Sequence, residues 1–285
     1  STANDDAMTV AGIASAWSAI SSVETWNGTN WTSGTAIPAT RGLNSFRGNS
    51  GAGIMSGGFT GTSIGTANDT TYVWNGSSWS TVATMNDRRA VGFGMGGQQD
   101  SCFVNGGQDG SGGTQLFSSE EYDGSANTWT SKSASTYGGQ GSVGAGDVNS
   151  FARCGGRSSG GVSNQLVETW DSSSWTTTSH SFPHGDSYNY GTSCGVGIDS
   201  FMQGARDSGT GVGKIYKYDG NSWTDSGSAT LAPKYIGMGG DSSSAIMCGG
   251  WSSGKGSSYY DGSTWSSTND LNTARSTSGT GGITA

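Results

Sequence analysis

One short segment recurs through the chain: an aromatic residue, Asn or Asp, a turn residue, and a second aromatic. It is first met as Trp26-Asn27-Gly28-Thr29-Asn30-Trp31 and returns as Trp74-Asn75-Gly76-Ser77-Ser78-Trp79. A looser copy runs from Tyr122-Asp123-Gly124 to Trp129. Then come Trp170-Asp171-Ser172-Ser173-Ser174-Trp175, Tyr218-Asp219-Gly220-Asn221-Ser222-Trp223 and Tyr260-Asp261-Gly262-Ser263-Thr264-Trp265. The closing aromatics Trp31, Trp79, Trp129, Trp175, Trp223 and Trp265 are 42 to 50 residues apart. Six units at that period fill the chain, which selects a repeat architecture over unrelated domains. Asn-Gly and Asp-Gly supply the left-handed backbone that tight hairpin turns need, and the aromatics favour a pleated, half-buried surface. Each copy therefore predicts strand, tight turn, strand. An isolated hairpin is marginal in water, so the six must be buried on one another.

Upstream of each hairpin an apolar strand ends in a Gly pair or a near miss. The series is Met8-Thr9-Val10-Ala11-Gly12, Ile54-Met55-Ser56-Gly57-Gly58, Cys102-Phe103-Val104-Asn105-Gly106-Gly107, Phe151-Ala152-Arg153-Cys154-Gly155-Gly156, Phe201-Met202-Gln203-Gly204-Ala205 and Ile246-Met247-Cys248-Gly249-Gly250. Paired Gly lets backbones approach closely or bends the strand. A weaker, small-residue strand precedes it, as at Ser45-Phe46-Arg47, Ala90-Val91-Gly92-Phe93-Gly94-Met95 and Tyr235-Ile236-Gly237-Met238. One unit is thus four short strands, a pattern that suits an all-β repeat fold.

An apolar strand, Gly-Gly, a variable loop, then aromatic-Asp/Asn-Gly and Trp resembles the kelch repeat. The resemblance covers essentially the whole chain. It departs from the family at Ala11-Gly12 and Gly204-Ala205, where the Gly pair is incomplete, and at Ser172, where the turn Gly is missing. It implies an all-β, six-bladed β-propeller with four-stranded antiparallel blades, one domain over residues 1–285. The segment Arg275 to Ala285 looks like the first strand of a further unit. Placed beside residues 7–12, it would complete the first blade and close the ring, removing the open sheet edge.

Composition bears on what such a ring is made of and what it meets. Gly is 52 of 285 residues, other apolar residues are only 31%, and adding Gly restores about the half expected of a globular chain. Backbone packing and 29 aromatics, each worth roughly 1.5–3 kcal/mol when fully buried, must supply the core. The regular aromatics argue against disorder. A net charge of −8 disfavours nucleic acid and anionic membranes as partners. No apolar run reaches the 18 residues of a membrane span. Cys102, Cys154, Cys194 and Cys248 have no zinc-ligand spacing and are expected as small buried apolar residues.

Signals of catalysis are few. His180 and His184 lie in Ser179-His180-Ser181-Phe182-Pro183-His184-Gly185-Asp186, a spacing that could place two ligands near a metal. A metal site needs further ligands and groups that orient them, so a polar loop is the simpler expectation. Galactose oxidase, a copper enzyme on a kelch-type propeller, uses two His, two Tyr and a Cys cross-linked to a Tyr. No corresponding set is found. No G-x-S-x-G nucleophile with a partner appears, and no Gly-rich run opens a helix. The expectation is no metal, no cofactor and no enzyme.

Binding by loops is the better expectation. Two positions recur. The residue after the Gly pair is Ile13, Phe59, Gln108, Arg157, Arg206 and Trp251. A few residues into the connections between blades stand Arg41, Arg89, Asp186, Lys234 and Arg275, with only Gly138-Gly139 in the third connection. In kelch propellers that bind peptides, arginines at both places line a pocket at one end of the channel. The resemblance carries this to Arg41, Arg89, Arg157, Arg206 and Arg275 by position. Six of the thirteen basic residues fall on these places, implying a locally positive mouth flanked by Phe59 and Trp251 that suits an acidic ligand. The alternative is that these side chains tie loops together through backbone carbonyls. The recurring Trp residues are expected to pack blade on blade. Trp17 and Trp251 lie outside the pattern and are candidate exposed contacts.

Low charge, abundant Gly, Ser, Thr and Asn, and Asn-Gly-x-x-Trp hairpins are similar to kelch-like virion or tail-associated proteins of marine bacteriophages, especially cyanophages. That resemblance implies a virion or extracellular interaction module for host attachment or particle decoration. Its partners would be a host-surface glycan or protein, or other virion subunits. A lectin-like carbohydrate-binding or cell-surface adhesin and a propeller-based carbohydrate-active enzyme stay open as alternatives.

Overall fold

The computed structural model describes residues 6–14, 17–110, 113–157, 164–183, 193–205, 213–231, 235–250, 254–276 and 279–282. The first repeat contributes β1 (Ala7–Val10), β2 (Val23–Trp26) and β3 (Trp31–Gly34). The second holds β4 (Ser45–Gly48), β5 (Gly53–Ser56), β6 (Thr71–Trp74) and β7 (Trp79–Val82). The third holds β8 (Gly94–Gln98), β9 (Ser101–Asn105), β10 (Ser119–Asp123) and β11 (Thr128–Lys132). The fourth holds β12 (Gln140–Gly146), β13 (Phe151–Arg157), β14 (Leu166–Trp170) and β15 (Trp175–Ser181). The fifth holds β16 (Ser193–Cys194), β17 (Phe201–Ala205), β18 (Lys214–Tyr218) and β19 (Trp223–Ser228). The sixth holds β20 (Ile236–Asp241), β21 (Ser244–Gly249), β22 (Ser257–Tyr260) and β23 (Trp265–Ser267). Finally β24 (Gly279–Gly282) pairs antiparallel with β1, Gly282 opposite Ala7 and Gly279 opposite Val10. Six four-stranded sheets result, and their innermost strands touch in the cyclic order β24, β4, β8, β12, β16, β20 and back to β24. The fold is a six-bladed all-β propeller, closed as the sequence predicts. Among the described residues there is no α-helix; a short 3-10 turn lies at Ile64–Thr66.

Position in the blade explains residue choice. The second strand is covered on both faces, so β5, β13 and β21 are nearly or wholly buried and read as continuous apolar or small runs. Innermost strands of neighbouring blades approach one another closely, and at some positions only glycine fits. A Cβ on Gly239 would lie 2.6 Å from the Gly281 carbonyl carbon, and one on Gly96 would lie 2.8 Å from the Phe151 ring. The two aromatics of each repeat face each other across the outer strand pair, with ring centroids 4.9 to 5.8 Å apart. The outer Trp then reaches the preceding blade. Trp79 Nε1 donates to the Thr35 carbonyl (2.9 Å), Trp129 Nε1 to Ala83 (3.1 Å), Trp175 Nε1 to Ser133 (3.0 Å) and Trp31 Nε1 to Ser257 Oγ (3.2 Å). The expected blade-on-blade packing of these residues is therefore present.

The hairpins differ from two-residue turns in one respect. In the first, second, fourth, fifth and sixth blades the paired aromatics enclose four residues, and the Asn or Asp works through its side chain. Asn27 Oδ1 accepts from the Thr29 and Asn30 N–H groups, and Asp171 Oδ1 accepts from Ser173 and Ser174. The left-handed residue is the next one, Gly28 at φ 87° and Ser172 at φ 76°. A serine there carries the Cβ clash that glycine lacks. Ser172→Gly is expected to stabilise the chain by about 0.5–1 kcal/mol, read as a higher urea midpoint with unchanged slope.

The same geometry sets a pH dependence. Hydrogen bonds from Ser173 and Ser174 hold the Asp171 carboxyl down at about 2, and those from Thr264 and Ser263 do the same for Asp261. Asp123 and Asp219 are lowered for the same reason. A carboxyl depressed by folding adds stability above its unfolded value and loses it as pH falls through its folded one. Stability should thus fall between about pH 4 and pH 2. Replacing these four Asp with Asn, which already serves at Asn27 and Asn75, should keep the turns and flatten that acid limb in pH-dependent melts.

Candidate functional site

The loops after the Gly pairs and the connections between blades lie on one face, and a repeated backbone clasp builds it. The second residue of the pair turns left-handed and donates its N–H to the connection. Gly12 donates to Arg41 (2.9 Å), Gly58 to Arg89 (2.9 Å), Gly107 to Gly139 (3.1 Å) and Gly250 to Arg275 (3.0 Å). The next residue pairs in both directions with the connection: Phe59 with Gly42, Gln108 with Ala90, Ile13 with Ser276. The two recurring positions singled out in the sequence are therefore brought side by side in three of the blades.

Their side chains point inward. Arg89 and Arg275 are 0% and 1% exposed. Arg89 Nη1 donates to the Gly106 carbonyl (2.7 Å) and Nη2 to Glu120 (2.7 Å), which also accepts from the Asn86 and Asp87 N–H groups. Arg275 Nη1 donates to the Ala11 and Ser22 carbonyls. Its Nη2 bonds Glu24 (2.7 Å), which accepts in turn from the Asn272 and Thr273 N–H groups. These two arginines are loop ties. Arg41 is the same tie with a different anchor: it is buried, donates Nη1 to the Thr40 carbonyl and lies over Tyr72, whose hydroxyl is 3.4 Å from Nη2. Burial lowers its pKa.

The third connection, where sequence offers only Gly138-Gly139, keeps the tie by another route. Gly139 takes the backbone place, and the guanidinium comes from Arg153 on β13. Arg153 bonds Glu168 (2.7 Å) and the Tyr137 and Gly155 carbonyls, and Glu168 accepts from the Thr136 and Tyr137 N–H groups. Glu24, Glu120, Glu168 and Arg153 are absent from the sequence-based candidates. The available signal was a Glu two residues before the first aromatic of the hairpin, in phase with the repeat.

Other candidates are placed as follows. Phe59 is fully buried in a plug with Ile13, Leu43 and Val91 beneath the loops, so it packs rather than flanks an opening. Gln108 is 9% exposed and its Oε1 is unpartnered. Arg157 ends β13, half-buried, opposite Gln140. Arg206, Lys234, Trp251, His184 and Asp186 lie outside the described residues. His180 sits in β15, not in a polar loop, with Nδ1 2.5 Å from the Tyr218 hydroxyl of the next blade. All four Cys are free and buried, as expected; burial pushes the Cys154 thiol up to about 12 and raises the other three.

Two features remain open on this face. Trp17 is 40% exposed and held at φ 61°, a left-handed conformation that a bulky residue rarely adopts. Its ring stands edge-on to Tyr235, itself at φ 58°, with centroids 6.3 Å apart. The loop carrying Trp17 is fastened to the next blade by Ala19 N–H donating to Gly61 (2.9 Å). On the far side of that blade's loop, between the second and third blades, a cleft of about 490 Å³ opens. It presents Asp69, Asp87 and Asp109 with Asn68, Asn86 and the apolar Leu116. Arg88, 71% exposed, stands 3.7 Å from Asp69. Among the described residues, then, Arg41, Arg89 and Arg275 do not line an open mouth, while Arg206, Lys234 and Trp251 lie outside the described residues. Arg89 and Arg275 are paired with carboxylates inside and Arg41 is buried against Tyr72, and the cleft is hydroxyl-, amide- and carboxylate-lined.

No protein-family model matches the chain, and no curated protein does. Among solved structures the chain is similar to that of YjhT. The TM-score is 0.64 at 13% identity, over 84% of this chain and 87% of that one. The likeness is one of fold and supports a kelch-like propeller.

Proposed function

We propose that the chain is a non-enzymatic interaction propeller, carried on a virion or its tail, that contacts a host-surface glycan through the loop face. The observation that carries this is Trp17. An exposed indole kept in a costly backbone conformation is the kind of strain that persists where a site needs it. An exposed flat aromatic suits the apolar face of a sugar, and the separate cleft of carboxylates and carboxamides on the same face offers partners for hydroxyls of an extended, polyhydroxylated ligand. An adhesin-type role follows more readily than catalysis because Glu24, Glu120 and Glu168 are already saturated by Arg and two N–H groups each. The virion location rests on the compositional likeness to phage-borne kelch-like proteins.

A glycan array with the intact chain is expected to give saturable binding to a limited set of surface glycans and no cleavage of them. Trp17→Gly separates site from scaffold. It should raise stability by about 1 kcal/mol by relieving the left-handed strain and weaken glycan binding at least tenfold. Binding unchanged in that variant, or glycan fragments released by the wild type, would remove the proposal.

A further inference from the structure

The axial cavity holds a cation without a counter-charge. Residues of all six innermost strands line it, among them Arg47, Met95, Val143, Ser193, Met238 and Thr280, and its volume is about 50 Å³. That is room for a few water-sized bodies. Register aligns Arg47 with Gly281, Gly96, Ala145, Cys194 and Gly239 on the other five inner strands. Five small residues and one arginine share a ring, and the long side chain crosses the space the small ones leave. Arg47 Nε donates to the Met95 carbonyl of the third blade (2.7 Å), and Nη2 donates to the Gly144 carbonyl of the fourth (2.8 Å). Nη1 donates to no described protein group.

No carboxylate answers this charge among the described residues. The nearby Cys194 and Cys102 thiols are kept protonated and neutral by their own burial and supply no negative charge. Arg47 is half-buried, and its Nη1 faces the water-sized space of the cavity rather than a protein acceptor; a cation drawn this far from bulk water favours a counter-charge. Two carbonyl dipoles meet only part of that demand. Asn44 Oδ1, also on the wall, lacks a hydrogen-bond donor. An anion with one water of hydration meets both needs: the anion accepts from Nη1, and the water donates to Asn44.

We propose that the axial cavity binds a small hydrated monovalent anion, of the chloride or nitrate class, against the Arg47 guanidinium. The site would act as a pin at the axle, joining the second, third and fourth blades through one side chain. The test is thermal unfolding of the whole chain at constant ionic strength, with sodium gluconate, whose anion is too large for the cavity, replaced stepwise by sodium chloride. The midpoint should rise with chloride along the saturable curve of a single site that binds only the folded state. Arg47→Met should abolish the dependence. Equal midpoints in chloride and gluconate, or a chloride effect that survives in Arg47→Met, would overturn the site. Should that variant not fold, wild-type crystals equilibrated in sodium bromide decide. An anomalous peak within hydrogen-bonding distance of Arg47 Nη1 supports the site, and an axial cavity free of bromide removes it.

Discussion

Replacing Glu24 with alanine is expected to cost about 3–5 kcal/mol of folding stability, lowering the thermal midpoint by roughly 10 °C. The carboxylate is buried and takes three donors: the Asn272 and Thr273 N–H groups at 2.7 and 2.9 Å and Arg275 Nη2 at 2.7 Å. Without it, a guanidinium that is 1% exposed stays in the interior unpaired, and two backbone donors lose their acceptor. The same loss is expected at Glu120 and Glu168, whose ties have the same form. Glu24→Leu combined with Arg275→Met should recover the share of the loss due to the unpaired guanidinium, because a buried ion pair exchanged for apolar groups of similar size is often neutral, while the Asn272 and Thr273 N–H groups still lack their acceptor. Denaturant melts of the single and double variants check both halves. A single variant within 1 kcal/mol of wild type would mean that the tie is not formed.

The second large effect concerns closure. Removing residues 279–285 should cost about 4 kcal/mol or more, counting roughly 1 kcal/mol for each backbone hydrogen bond lost between β24 and β1. It also bares β1 as an open edge next to the emptied inner position, which invites pairing between chains. The truncated chain is expected to unfold at a much lower denaturant concentration and to associate. A synthetic peptide of residues 275–285 should restore the midpoint in a concentration-dependent way, since the missing strand then binds only the folded state. A truncated chain as stable and monomeric as the full one would place the first blade's inner strand elsewhere.

Much of the fold was legible because each blade repeats one demand. The Asn/Asp-Gly hairpins, the buried Gly-pair strand and the small-residue inner strand each carry their own local chemistry, and their period supplies the count of six. Even the departures were informative: Ser172 and Ala11 occupy left-handed positions that glycine fills in sister repeats, at φ 76° and 60°. The site was less legible. Sequence position brought Arg41, Arg89 and Arg275 to the loop face, which is where their backbones are. Which way a side chain turns depends on what waits inside, and that was a Glu or Tyr on the neighbouring blade, far along the chain. The cleft at Asp69, Asp87 and Asp109 draws on three loops whose only common feature is their place between two blades. Arg47 was visible as one charge in a series of small residues, but the series itself is defined only by strand register. Trp17 was found for a simple reason: it breaks the repeat.

Hydrogen exchange on the intact chain, followed by mass spectrometry, tests the closed wheel most directly. The amides that bond β24 to β1 should exchange only through global unfolding, at the same slow rate as the amides within β5 and β21. Peptides covering residues 279–282 that exchange within seconds, while β5 and β21 stay protected, would contradict the closure.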